Sequence, residues 1–109
     1  MERVLFFFQR LTALILAPFV LIHLAVIMYA VKGGLTAADI LSRTQGSVWW
    51  ISFYGVFVIA VAIHAAIGIR RVLIEWCKLS LSAANVLSLL IALGMLFLGM
   101  RAVVAVGGL

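Results

Sequence analysis

VWWISFYGVFVIAVAIHAAIGIRRVLIEW, Val48 to Trp76, decides the fold. Its first 22 residues, Val48 to Ile69, carry no formal charge, and Arg70, Arg71 and Glu75 follow directly. At 1.5 Å per residue a helix of that length spans about 33 Å, enough to cross roughly 30 Å of hydrocarbon. Two further stretches read the same way. Leu11 to Val31 gives 21 uncharged residues between Arg10 and Lys32, and Leu79 to Met100 gives 22 between Lys78 and Arg101. Barrel strands are shorter and alternate polar with apolar residues, a pattern these stretches lack. With 68% hydrophobic and 10% charged residues, the chain is far from the composition of a soluble domain. The expectation is an all-α membrane protein, a single domain over residues 1–109 with transmembrane helices at about 11–31, 48–69 and 79–100.

The remaining residues form short connections. KGGLTAADILSRTQGS has room for a surface helix around Thr36 to Leu41, and RRVLIEWCKLS extends the second helix to about Trp76 before the chain turns. The opening MERVLFFFQR resembles a signal peptide only in outline, because the apolar segment after it is too long and has no small-residue cleavage site. With the N-terminus inside, Arg3, Arg10, Arg70, Arg71 and Lys78 lie on the inner side and Lys32, Arg43 and Arg101 on the outer. Basic residues favour the inner side, so this count sets the orientation. Topology thus accounts for the net charge of +5, and no nucleic-acid partner is needed. Cys77 stands alone, and no C-x-x-C-H motif for covalent haem attachment is present.

Only two histidines occur, His23 and His64, and both fall within apolar segments. An ionisable side chain in hydrocarbon costs a few kcal/mol unless it has a partner, so each marks a functional candidate; the plainer reading is a neutral imidazole in an interhelical hydrogen bond. His23 lies about 18 Å and His64 about 7 Å from the inner edge, an offset of about 10 Å along the membrane normal. Two imidazoles so offset cannot ligate opposite faces of one haem iron, so each needs a ligand from another chain or serves another site. On the second helix His64, Gly68, Arg71 and Glu75 fall within about 40° of one line. That face suits a porphyrin standing edge-on, with His64 on iron, room beside Gly68 and Arg71 pairing with a propionate. Arg70 points about 120° away and reads as a membrane-surface anchor. On the first helix Thr12 and Leu16 share the His23 face, and Pro18 removes a backbone donor below it.

HAAIGIRRVLIEW, residues 64–76, resembles the H-x-x-x-G-I-R-H-x-x-x-D segment of the cytochrome b membrane-anchor subunits of succinate dehydrogenase and fumarate reductase. The motif's first histidine, a haem b ligand in that family, falls on His64; its second is here Arg71 and its closing acid is Glu75. QRLTA at 9–13 is similar to the family's H-R-x-S-G entry, keeping Arg10 and a hydroxyl at Thr12, with Gln9 for histidine and Ala13 for glycine. Members with two haems carry another histidine ten residues beyond that glycine, and His23 stands ten residues beyond Ala13. The resemblance covers about residues 5–76.

The resemblance implies half of a larger helical bundle completed by a second membrane-anchor subunit, embedded in membrane lipid. It implies two haem b groups, with His64 and His23 as iron ligands, each haem sharing a ligand with another chain, and Arg71, Gly68 and Thr12 as propionate or pocket residues. It also implies an iron–sulfur subunit docked on the basic rim of Arg3, Arg70, Arg71 and Lys78, and a flavoprotein subunit. Quinone is the electron acceptor or donor. The chain would be a non-dehydrogenase subunit of a succinate:quinone or quinol:fumarate oxidoreductase, without catalysis of its own, in a bacterial inner membrane with its N-terminus cytoplasmic. Alternatives are a haem-free anchor that binds only quinone, or the cytochrome b subunit of another membrane dehydrogenase. A small multidrug-type transporter is disfavoured, since all three acids lie outside the apolar segments. For quinone, Arg10 and Glu75 frame an inner site, where the arginine donates to a carbonyl oxygen and the carboxylate carries protons. Asp39, the single acid of the outer loop, marks a competing outer site.

Overall fold

The computed structural model describes residues 2–108. Four helices account for nearly all of them: α1 Glu2–Gly33, α2 Ala37–Thr44, α3 Val48–Glu75 and α4 Leu81–Gly107. Three of these, α1, α3 and α4, are long and apolar enough to cross a membrane. The chain is an all-α, multi-pass membrane protein with three transmembrane helices. Each long helix runs past the uncharged stretch that marks it in the sequence. Only α3 was expected to do so; α1 begins nine residues before Leu11 and α4 ends seven residues after Met100. α1 also continues as helix through Pro18.

Caps explain where the helices start. Ser47 accepts from the Trp50 N–H, and Ser80 accepts from the Ala83 N–H, each satisfying a free donor of a first turn. α2 starts at a full capping box, in which Thr36 accepts from the Asp39 N–H while the Asp39 carboxylate accepts from the Thr36 N–H. Between α3 and α4 the chain turns through Lys78, which adopts a left-handed φ of 58°. Leu79 N–H then reaches back to the Leu73 carbonyl at 3.1 Å.

α3 lies between the other two long helices. It packs most closely on α4, through small residues: Ala60, Ala62, Ala66 and Ala84 are all buried. A Cβ at Gly99 would run into the Val58 side chain, so the two backbones approach as closely as glycine allows. α1 packs on α3 through aromatic rings. Phe19 stacks on Phe53 at 4.8 Å between centroids and meets Phe57 edge-on at 6.2 Å.

The two ends of the bundle differ. At the near end, formed by the start of α1, the end of α3 and the start of α4, Arg70 ties the helices together. It is 6% exposed, donates from Nε to Asn85 Oδ1 at 2.7 Å and pairs with Glu2 at 2.8 Å. Arg70 is therefore an interior strut and not the surface anchor its sequence position suggests. It also drops out of the exposed basic rim. At the far end α2 folds against the end of α4, where carbonyls lack intrahelical partners. Thr44 donates to the Val106 carbonyl at 2.8 Å and Gly46 N–H to that of Gly107 at 2.9 Å.

Candidate functional site

The two histidines sit at different levels of the α1–α3 interface. His64 meets α1 at Thr12, whose Oγ1 lies 3.2 Å from His64 Nδ1. His23 meets α3 at Tyr54 and Phe57, with ring centroids 5.8 and 5.2 Å away. Thr12 and His23 are eleven residues apart on α1, and Phe57 and Tyr54 are seven and ten residues from His64 on α3, so the two levels are about 10–16 Å apart at 1.5 Å per residue. Thr12 shares the His23 face of α1, as expected, since both point into α3; at its own level Thr12 meets His64 and is 3% exposed.

Around His64 the hydrogen bonding is specific. Thr12 Oγ1 lies 2.7 Å from the Phe8 carbonyl and 3.1 Å from that of Gln9, so its single proton goes to its own helix. One turn nearer the end, Gly68 faces Gln9, whose Nε2 would lie 3.5 Å from a Cβ at that glycine. The Gln9 Oε1 is buried without a hydrogen-bond partner. Gln9, Gly68, Arg10, Arg71 and Phe6 line a near-end cavity of about 340 Å³. Of the residues expected to hold quinone, only Arg10 lines it, with its guanidinium 5.5 Å from the Phe6 ring centre. Glu75 does not; it pairs with Arg71 at 3.3 Å one turn along the exposed helix surface. Glu2, which precedes the apolar stretch, also lines the cavity, and Arg70 holds its carboxyl below the usual carboxylate range by hydrogen bonding and charge.

His23 borders a larger cavity of about 890 Å³ toward the far end, enclosed by α1, α3, α4 and α2. Its walls are mainly apolar, with Trp50, Tyr54, Val103 and Gly99 among them, and Arg43 lies at its α2 side. The His23 Nδ1 is buried and has no hydrogen-bond partner. An unpaired polar atom of that kind costs about 1–3 kcal/mol. Arg43 was not singled out in the sequence. It donates to the Gly34 carbonyl at 2.8 Å and lies 5.4 Å from the Tyr29 ring centre. Its only sequence signal was a cation, one of two with Lys32, in the connection between the first two long helices. Asp39, the outer candidate for proton transfer, is not among the cavity-lining residues and is engaged in the α2 capping box.

Three long apolar helices, of which α3 carries a histidine bonded to a hydroxyl of α1, define a small helical membrane protein. The chain belongs to the succinate dehydrogenase/fumarate reductase transmembrane subunit family, which matches residues 2–103. Comparison with curated proteins gives no match, and comparison with solved structures gives none.

Proposed function

We propose that this subunit binds two b-type haems, through His64 at the near end and His23 toward the far end, and relays electrons between an iron–sulfur subunit and membrane quinone. The observation that carries the reading is the placement of two imidazoles within apolar helices at levels about 10–16 Å apart. One haem could not use both, so each histidine would hold a separate haem and another chain would supply its second ligand. The haems would provide one-electron carriers; the protein orients its imidazoles and excludes water. The residues present fit such groups. His23 offers a buried, unpartnered nitrogen beside a roomy apolar cavity with a cation at its edge. His64 offers a ring fixed at Nδ1, with Arg71 nearer the membrane surface to meet a propionate.

Quinone is assigned to the near-end cavity, where Arg10 donates to a carbonyl oxygen and Gln9 supplies a polar contact in place of the family's histidine. Glu75 acts there through its ion pair with Arg71. A second anchor subunit covers the apolar faces of α1 and α4 and supplies the remaining ligands. The iron–sulfur subunit docks on Arg3, Arg71 and Lys78, and a flavoprotein subunit completes the succinate:quinone oxidoreductase. This side faces the cytoplasm of a bacterial cell, in keeping with its excess of basic residues. In intact cells, an impermeant thiol reagent should spare exposed Cys77; labelling from outside would reverse the orientation.

The deciding experiment is a pair of substitutions in the assembled complex. His64→Ala and His23→Ala should each remove a different part of the b-type spectrum, with distinguishable midpoint potentials. Loss of one and the same component from both, or of none, would refute the assignment.

A further inference from the structure

We infer that Thr12 is the positioning residue that fixes the tautomer and orientation of His64, so that Nε2 is the nitrogen presented to iron; this rests on the haem reading above. A neutral imidazole has one N–H and one lone pair, and which nitrogen carries which depends on the hydrogen bond the other makes. The Thr12 hydroxyl has one proton, and the Phe8 carbonyl at 2.7 Å takes it. Toward His64 Nδ1, 3.2 Å away, the hydroxyl oxygen therefore acts as acceptor. Nδ1 carries the hydrogen and Nε2 keeps its lone pair. The opposite arrangement would need Thr12 to surrender its shorter bond and would leave Nε2 protonated, unable to ligate a metal.

The same bond acts on the ligand's electronics. An Nδ1–H donating to an acceptor makes the imidazole more electron-rich, which favours the ferric state and lowers the reduction potential. Burial makes the effect dependable. Thr12 is 3% exposed, so little water is at hand to replace the hydroxyl. Threonine and valine have nearly the same shape, whereas serine retains the hydroxyl without the methyl group.

The test compares Thr12→Val with Thr12→Ser in the whole membrane complex. Thr12→Val should shift the midpoint potential of the His64-dependent component to more positive values, or abolish that component, while leaving the His23-dependent one in place. Thr12→Ser should restore the wild-type potential. A valine variant with unchanged potential, or a serine variant as defective as the valine one, would overturn the inference and leave the haem reading intact. A readout independent of haem is the nitrogen-15 spectrum of His64 in complex assembled under haem limitation. Protonation at Nδ1 is expected there, and protonation at Nε2 would defeat the inference. If His64→Ala keeps both b-type components, the haem reading itself has failed and this inference falls with it.

Discussion

Arg70 donates its Nε–H to Asn85 Oδ1 at 2.7 Å, joining the last turns of α3 to the first turns of α4 through a guanidinium that is almost wholly buried. A buried cation stripped of a partner is costly, and a hydrogen bond to a charged group is worth about 1.5–3 kcal/mol. Asn85→Leu should therefore lower the stability of the purified complex by about 2 kcal/mol, read as a fall in its denaturation midpoint. Glu2→Gln should have a smaller effect at neutral pH, because that carboxylate is 60% exposed. Its signature lies in acid. The folded pKa of Glu2 is depressed, so the ion pair contributes above the unfolded carboxylate value and is lost as pH falls through the folded one. The glutamine variant should show a flatter stability profile below about pH 4.5, the ordinary value for the group; an unchanged profile would separate Glu2 from the strut.

The contact between Gly99 and Val58 makes a different demand. A methyl group at Gly99 would overlap a β-branched side chain that has little rotamer freedom, whereas at Gly94 it would meet nothing within 4 Å. Gly99→Ala should cost about 1–3 kcal/mol through forced separation of α3 and α4. Gly94→Ala should be neutral or stabilising, by up to about 1 kcal/mol from helix propensity. Thermal denaturation of the two variants side by side checks this, and equal midpoints would remove the close approach as a source of stability.

At the near-end cavity the expected loss is functional. Gln9→Leu and Arg10→Gln should each lower quinone reductase activity severalfold, while succinate oxidation by a soluble dye and haem content stay at wild-type levels. Asp39→Asn should leave quinone reduction alone and affect only the cap of α2, by about 1 kcal/mol. If Asp39→Asn abolishes quinone reduction and the near-end variants do not, quinone reacts at the far end.

Much of this architecture was legible in charge spacing. The three apolar runs marked the helices because lipid tolerates only backbone that satisfies itself, and the lengthened α3 followed from the continued apolar pattern to Trp76. What spacing could not supply was the partner of each polar group. Arg70 and Arg71 are neighbours in sequence, yet one is buried against Asn85 and the other is exposed beside Glu75. Their helix angle told them apart, but not which face α4 would cover. Thr12 and His23 do share the stripe of α1 that faces α3, but which α3 residue each meets depends on level, so the pairing of Thr12 with His64 was not legible. Arg43 was read only as an outer-side cation because the expected surface helix stopped at Leu41, and its place beside the far-end cavity follows from α2 running to Thr44 and folding onto the end of α4.

The direction of the Thr12 hydroxyl bears on the order of events at the ribosome. α1 precedes α3 in the chain and leaves the ribosome ahead of it. A threonine that spends its proton on the Phe8 carbonyl carries no unmet donor while it waits. His64 arrives later, on α3, and finds an acceptor already oriented toward it. Translation from the N-terminus thus places the tolerant half of this polar pair in lipid first, and the half that needs a partner second.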